Sequence, residues 1–465
     1  MAASHPLGKA LNNAMIRDVP SYGNKFFYSL GFLSMLSFVV LLITGLVMTS
    51  YGPTWWLTSG LGGYVRSVHL WATQAFVLFI ILHLLVVFFT SGFKKPRRLT
   101  WVIGVVMLFV VLAETEFGYA LRGDFSSQWR SLQGADFYNG SGLGGFLNPL
   151  NYKQIYGIHI VVVPLVLLGL LGLHYLLVRV LGIARPYRTN VAVKTVPANH
   201  SKLFIRGGGL IVLILALAVL LPSPYIKPIT IQSIAQQDSF LLGKTLMAEY
   251  NGKSETALYH DNIDPYTYNT RAVYIVAPYA QYHATQAKSK DELQLFNNQP
   301  AAVQVRQLKS ADDYFKQETP GASKPPISPI MSVVNSLTLM AAAGLYEPSL
   351  TAANSDGGHA DESTYTTRFL FDTGVLEEKA TASNITTDQY GMIREETGRT
   401  PGAWWLVPIG LLNHTVLSGD DNGDRDAGII FGSLLLTMLA FPFIPYVNQI
   451  PDKLKVYKLI WREKK

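Results

Sequence analysis

Four histidines interrupt two of the chain's long apolar segments, and their spacing limits what those segments can become. His69 and His83 lie 14 positions apart, and His159 and His174 lie 15 apart. At roughly 100° per residue, 14 helical steps return a side chain to within about 40° of its start, and 15 steps to within about 60°. Each pair therefore shares one helix face, its members roughly 21 Å apart along the axis. An ionisable side chain in hydrocarbon is expensive, so two on one face require a buried partner.

The apolar segments cover about 26–49, 68–89, 101–117, 158–178, 204–221 and 429–447. A helix needs about 20 such residues to cross a bilayer, so six transmembrane helices are expected, the third and fifth short. Only 15% of the 465 residues are charged, and mean hydropathy is +0.22, which fits a membrane protein with a polar part. Cysteine is absent. That excludes disulfides, thiolate iron–sulfur or zinc sites and covalent c-type haem attachment within this chain. The first 25 residues carry no compact apolar core, so no cleavable signal peptide is expected.

Charge orients the segments. The loop 91–100 carries Lys94, Lys95, Arg97 and Arg98 and no acid; the loop 179–206 has six basic residues and no acid; the tail after Pro451 has six basic and two acidic residues. In a six-span chain these fall on one side, which the positive-inside rule makes cytoplasmic. Both termini are expected there. The stretch from about 222 to 401, with 14 basic and 20 acidic residues, then lies outside the cytoplasmic membrane. It is too aromatic for a disordered chain. A folded extracytoplasmic domain of α/β or irregular class is expected, with a helix over 332–346 and a loop over 351–363. The expected division is a four-helix core over 1–190, a loop and fifth span over 191–222, the inserted domain over 223–401, and a last span with a basic tail over 402–465.

The two histidine-bearing spans run in the same direction, so His69 pairs in depth with His159 near the outer face, and His83 with His174 near the inner face. A neutral imidazole is a good iron ligand. Two opposed imidazoles at each of two depths point to two haems stacked across the membrane. Zinc fits less well, because each level offers two histidines and no thiolate. Glycines repeat the period: Gly31 and Gly45 are 14 apart, as are Gly104 and Gly118. Absent side chains let a flat macrocycle approach the backbone. Arg66, one turn before His69, and Arg97 or Arg98 on the inner side are expected to meet haem propionates. His5, His260, His283, His359 and His414 read as ordinary surface or core residues.

Together these residues resemble cytochrome b of the quinol-oxidising bc complexes. The resemblance covers about 11–187 and includes Asn12-Asn13-Ala14, both glycine pairs, Arg66-Ser67-Val68-His69, Pro96-Arg97, Gly118-Tyr119-Ala120-Leu121 and both histidine pairs. The 15-residue spacing, with Leu177-Val178-Arg179 and Gly182-Ile183, is nearer to bacterial or plastid versions. The resemblance implies an all-α bundle holding two b-type haems, a quinone or menaquinone site near each face, and Rieske iron–sulfur and c-type cytochrome partners, usually in a dimer. Phe441-Pro442-Phe443 through Val447-Asn448 are similar to the last span of the family's second module. The family's outer quinol motif, Pro-Glu-Trp-Tyr, has its counterpart in Gly402-Ala403-Trp404-Trp405 followed by Leu406-Val407-Pro408, with Ala403 where the glutamate belongs.

Glu114 and Glu116, close to Gly118, are the carboxylates expected to take a quinol proton in its stead. Asp124 and Trp129 keep the spacing of the family's short outer helix. At the inner face Asp18, Ser34, His200, Lys202 and Arg206 are the expected quinone residues. The reading is a dihaem electron-transfer subunit working on quinone; the alternative is a dihaem anchor for another oxidoreductase, without a working outer quinol site. No nucleic-acid partner is expected.

Overall fold

The computed structural model describes residues 18–183, 194–258, 268–286, 290–317, 323–351, 364–386, 399–420 and 423–461. Six helices in it are long and apolar enough to cross a membrane: Phe26–Tyr51, Gly60–Phe89, Arg98–Ala120, Tyr152–Leu181, His200–Leu220 and Arg425–Phe443. They are the six expected spans, with ends set by local chemistry rather than by hydropathy. The second begins at Gly60 rather than residue 68, because the Ser59 hydroxyl accepts the Gly62 N–H. Asn151 and Asn199 start the fourth and fifth spans in the same way. Such a cap contributes about 1 kcal/mol. The sixth stops before residue 447: Phe441–Phe443 tightens into a 3-10 turn around Pro442, which has no N–H to continue the ladder.

Spans one and two pack together, as do three and four, and span two also meets span three. One core cluster draws Phe38 from span one, Val77 from two, Val111 and Phe117 from three, and Val163 and Leu167 from four, so these four form a bundle. Span five lies on one and two; span six lies on three and on the short helix Phe125–Gly140. Leu46, Leu165, Ile205 and Leu436 stand exposed on the outside of the spans. Helices satisfy their own backbone groups, so an apolar exterior of this kind suits lipid. The chain is a multi-pass membrane protein.

The region between spans five and six is helical in its described residues. It includes Ile231–Gln237, Ser239–Asn251, Ala277–Thr285, Ala301–Phe315, Pro329–Ala342 and Tyr365–Asp372. The sequence left its class between α/β and irregular; the described residues have neither character. Its helices are short, and three of them, Ile231–Gln237, Ser239–Asn251 and Pro329–Ala342, start on the side-chain caps Thr230, Asp238 and Ser328. The helix expected over 332–346 runs from Pro329, behind the Ser328 cap, to Ala342, and ends where Gly344 takes φ +76°. Residues 352–363, where a loop was expected, lie outside the described residues. The described strands are Asp18–Pro20 and Thr195–Pro197, paired antiparallel with Asp18 opposite Pro197.

This insert sits at the end of the bundle that carries His69 and His159. Its core, with Leu242, Tyr274, Val333 and Phe369, is continuous with Phe125, Trp129 and Leu132 of the short helix Phe125–Gly140. Phe125 N–H donates to Ile226 O at 3.0 Å, and the Gln128 amide bonds the Ile229 backbone twice, at 2.8 Å each.

Candidate functional site

The four histidines face inward in two levels, each against one of the four glycines. A Cβ added at Gly45 would lie 3.5 Å from His69 Cε1; at Gly31, 3.3 Å from His83 Cε1; at Gly104, 3.3 Å from His174 Cε1; at Gly118, 3.0 Å from His159 Cε1. Glycines of span one thus face histidines of span two, and glycines of span three face histidines of span four. The unequal spacing has a structural reason. The stretch Ile158–Val162, which includes His159, is a π-helical turn. Such a turn absorbs one extra residue, so 15 positions on span four cover the same rotation as 14 on span two.

At the outer level the His69 and His159 ring centroids are 6.5 Å apart. That gap fits one metal ion held at about 2 Å from a nitrogen of each ring. The Thr44 hydroxyl donates to Val40 O at 2.8 Å and lies 2.8 Å from His69 Nδ1, so that with its own proton on Val40 O it is free to accept an Nδ1–H from the ring. In that tautomer His69 keeps a lone pair on Nε2. Glu114 Oε1 lies 3.1 Å from His159 Nδ1, with the ring not pointing its N–H squarely at the oxygen. At the inner level His83 and His174 lie within electrostatic reach of each other, and the Thr100 main chain is within hydrogen-bonding reach of His174. The donors and the bare glycine backbones fit a flat, iron-bearing macrocycle at each depth.

Glu116 has its Oε1 shielded from solvent and without a hydrogen bond. It is within electrostatic reach of Arg130, whose guanidinium stacks 4.3 Å over the Tyr119 ring. Burial pushes the Tyr138 phenol up to about 12, and Glu116 beside it adds to the rise. Tyr119 meets Trp405 at 6.5 Å between ring centroids. Ala403 is fully buried among Phe117, Tyr119 and Trp405. Asp124 caps the short outer helix through Ser127 and pairs with Arg122 at 2.7 Å, and Trp129 is buried in the core.

Two outer residues escaped the sequence reading. Thr44 precedes Gly45 as a hydroxyl in an apolar run, which was a usable signal. Gln74 is an amide buried in span two. Its Nε2 donates to Pro401 O at 3.2 Å and Gly402 O at 3.0 Å, and its Oε1 accepts Trp404 Nε1–H at 2.8 Å. Gln74 therefore clamps the segment that carries Ala403.

The arginines chiefly engage main chain. Arg66 donates to Ser223 O at 3.0 Å and Pro224 O at 2.9 Å, at the start of the insert. Arg97 donates to the carbonyls of Leu181, Gly182 and Ile183 and so closes span four. Arg98 lies 5.1 Å over the Phe443 ring. Arg206 binds the Ser29 hydroxyl and Asn24 O. Ser34 donates to Leu30 O at 2.9 Å. His200 and Lys202 begin span five, and Asp18 is exposed on its short strand. His283 is half-buried 6.2 Å from the Tyr279 ring, and His414 is exposed. His5, His260, His359 and Asn12-Asn13-Ala14 lie outside the described residues.

A helical membrane bundle with histidines facing in pairs at two depths is the frame of a membrane cytochrome. Residues 74–233 match the family model described as cytochrome b(N-terminal)/b6/petB. Cytochrome b6 of Heliobacterium mobile is 32% identical over 202 residues, covering 39% of this chain and 95% of that protein. Cytochrome b6 of Prochlorococcus marinus (strain MIT 9303) is 33% identical over 190 residues, covering 36% and 87%. A chain of a hyperthermophilic respiratory Complex III aligns over 93% of this chain and 94% of its own, at 15% identity and a TM-score of 0.41. The chain belongs to the cytochrome b/b6 family, and with that membership comes a b-type haem cofactor.

Proposed function

We propose that the chain is a dihaem cytochrome b that moves electrons between quinone or quinol and a redox partner of a bc-type membrane complex. His69 and His159 hold the outer haem, and His83 and His174 the inner one. The observation that carries this reading is the fourfold match of histidine to glycine across neighbouring spans, at two depths. Bound haem supplies one-electron redox chemistry at each level. The chain's own part is to aim four imidazoles, keep the bundle dry and manage protons.

At the outer site Glu116 and Glu114 are the carboxylates placed to serve quinol. Glu116, with a shielded oxygen free of hydrogen bonds, takes the proton that a quinol hydroxyl gives up on oxidation. Arg66 and Arg98 are the arginines assigned to the outer and inner propionates, with Arg97 holding the inner end of span four. Asp18, Ser34, His200, Lys202 and Arg206 surround the inner quinone. By the positive-inside rule the termini are cytoplasmic and the insert is extracytoplasmic. Rieske iron–sulfur and c-type cytochrome subunits are the expected partners, in a complex built on a dimer of this chain.

Ala403 favours a second reading. Fully buried where the family motif has glutamate, it fits a wire that serves an outer oxidoreductase without oxidising quinol at the outer site. Redox titration of the purified full-length protein, followed optically, tests both. Two b-type components are expected. Alanine at His69 or His159 should remove one, and alanine at His83 or His174 the other. Retention of both after any of these changes refutes the ligand assignment. Reduction by quinol that an outer-site inhibitor fails to slow would select the second reading.

A further inference from the structure

Of the four histidines, His159 is the one that faces a carboxylate among the described residues. Glu114 Oε1 lies 3.1 Å from His159 Nδ1, and the two side chains are only 15% and 20% exposed. Glu114 stands one helical turn before Gly118, the residue against which the His159 ring lies. One turn of span three thus supplies both the bare backbone under the ring and the acid at its edge. At the facing ligand the same nitrogen meets a neutral hydroxyl, that of Thr44. At the inner level His83 lies against Gly31, and His174 against Gly104 and the Thr100 main chain.

We infer that Glu114 is a positioning residue for His159, one that biases the outer haem toward its ferric state. The inference rests on the haem ligation proposed above. Even without a squarely aligned hydrogen bond, a carboxylate 3.1 Å from Nδ1 favours the tautomer that carries the proton there and leaves the coordinating nitrogen more basic. A more basic ligand and a nearby negative charge both favour the ferric over the ferrous state. In a shielded site that preference is stronger than in water. Thr44 can fix the tautomer of His69 but adds no charge. The described neighbours of the inner ligands are Gly31, Gly104 and the Thr100 main chain. The proton-accepting role at the outer site then belongs to Glu116.

The test is an optical redox titration of the purified full-length protein with its haems, joined to low-temperature EPR of the ferric state. Replacing Glu114 by glutamine (E114Q) should shift the reduction equilibrium of the outer component about tenfold toward the reduced form. For a one-electron couple that is about 59 mV upward. The outer EPR signal should move, and the inner component should keep its midpoint. E114D, which keeps the charge, should stay near the parent value. Unmoved midpoints in E114Q with both haems bound would overturn the inference. If E114Q loses the outer haem, E114D decides: retention near the parent midpoint supports the inference, and loss of the haem or a reduction equilibrium shifted about tenfold toward the reduced form overturns it. An H159A control separates the two layers, since two surviving haems there refute the ligation itself and not merely the role of Glu114.

Discussion

At the inner level His83 and His174 lie against Gly31 and Gly104, with the Thr100 main chain beside them. At the outer level His69 and His159 lie against Gly45 and Gly118, and Thr44, Glu114, Glu116 and the Gln74-held segment crowd in as well. The plan of ligand and glycine is repeated, while the surroundings are not. Repetition follows from helix geometry: one period on four helices produces two equivalent depths. Difference comes from residues that this period does not govern. The outer level also supports the insert, whose core runs into the short helix Phe125–Gly140. The lesson is that cofactor binding and cofactor tuning are written in separate sets of residues, and each can be broken alone.

The largest effect is expected at the glycines. An added methyl group would come within 3.0 Å of the ring at Gly118, 3.3 Å at Gly31 and Gly104, and 3.5 Å at Gly45. Overpacking of a close contact costs about 1–3 kcal/mol. Gly118→Ala should therefore lose the most haem, Gly31→Ala and Gly104→Ala less, and Gly45→Ala least. Haem content per protein, read level by level from the reduced spectrum, checks the order. A greater loss at Gly45 than at Gly118 would mean that the glycines serve helix packing and not the cofactor.

The same split explains what was legible in the sequence. The spans, the histidine pairs and the glycine pairs were readable because a helix imposes a period on one continuous segment. The π turn at Ile158–Val162 was not, since it changes the period without changing composition. Thr44 with His69 and Gln74 with Gly402 join residues far apart in the chain. No local pattern announces such contacts. Arg66 donates to a backbone carbonyl at the start of the insert, and Arg97 to one at the end of span four. Charge at a membrane boundary is visible in sequence, but its acceptor is a matter of tertiary structure. The insert hid its helices because they are short, with no long period to detect.

A smaller effect should follow from releasing Gln74. Its side chain makes three hydrogen bonds to the segment around Ala403. Gln74→Ala leaves the Trp404 indole N–H and two carbonyls without this partner, at about 1–3 kcal/mol for the buried groups affected. Quinol-dependent reduction through the outer component should slow, while the inner midpoint stays where it was. An equal disturbance at both levels would show that Gln74 supports the bundle generally and has no special tie to the outer site.

The smallest effect is expected from pH acting on the insert. Glu249 is fully buried, accepts a hydrogen bond from Ser254 at 2.8 Å, and adjoins Asp372, which accepts the Thr256 N–H at 2.8 Å. Burial lifts the Glu249 carboxyl well above its ordinary range, and the Asp372 charge lifts it further; burial raises Asp372 as well. Arg368, whose guanidinium lies 5.1 Å over the Tyr268 ring, faces the same cluster, and burial lowers it to about 9. A carboxyl whose folded pKa exceeds its unfolded value binds more protons folded than unfolded. Its contribution is fully present below the unfolded value, about pH 4, and is lost as pH rises toward the folded one. Thermal stability of the insert should thus decline from about pH 4 toward neutrality. Glu249→Gln, which has no charge to bury, should flatten that decline and stabilise the insert near neutral pH by on the order of 1 kcal/mol. Because the insert shares its core with the short helix Phe125–Gly140, the outer haem spectrum should sense the change before the inner one does. A pH slope unaltered by Glu249→Gln would remove the buried pair as its source, and simultaneous changes at both haems would mean that the insert and the outer level are not coupled in the way their shared core implies.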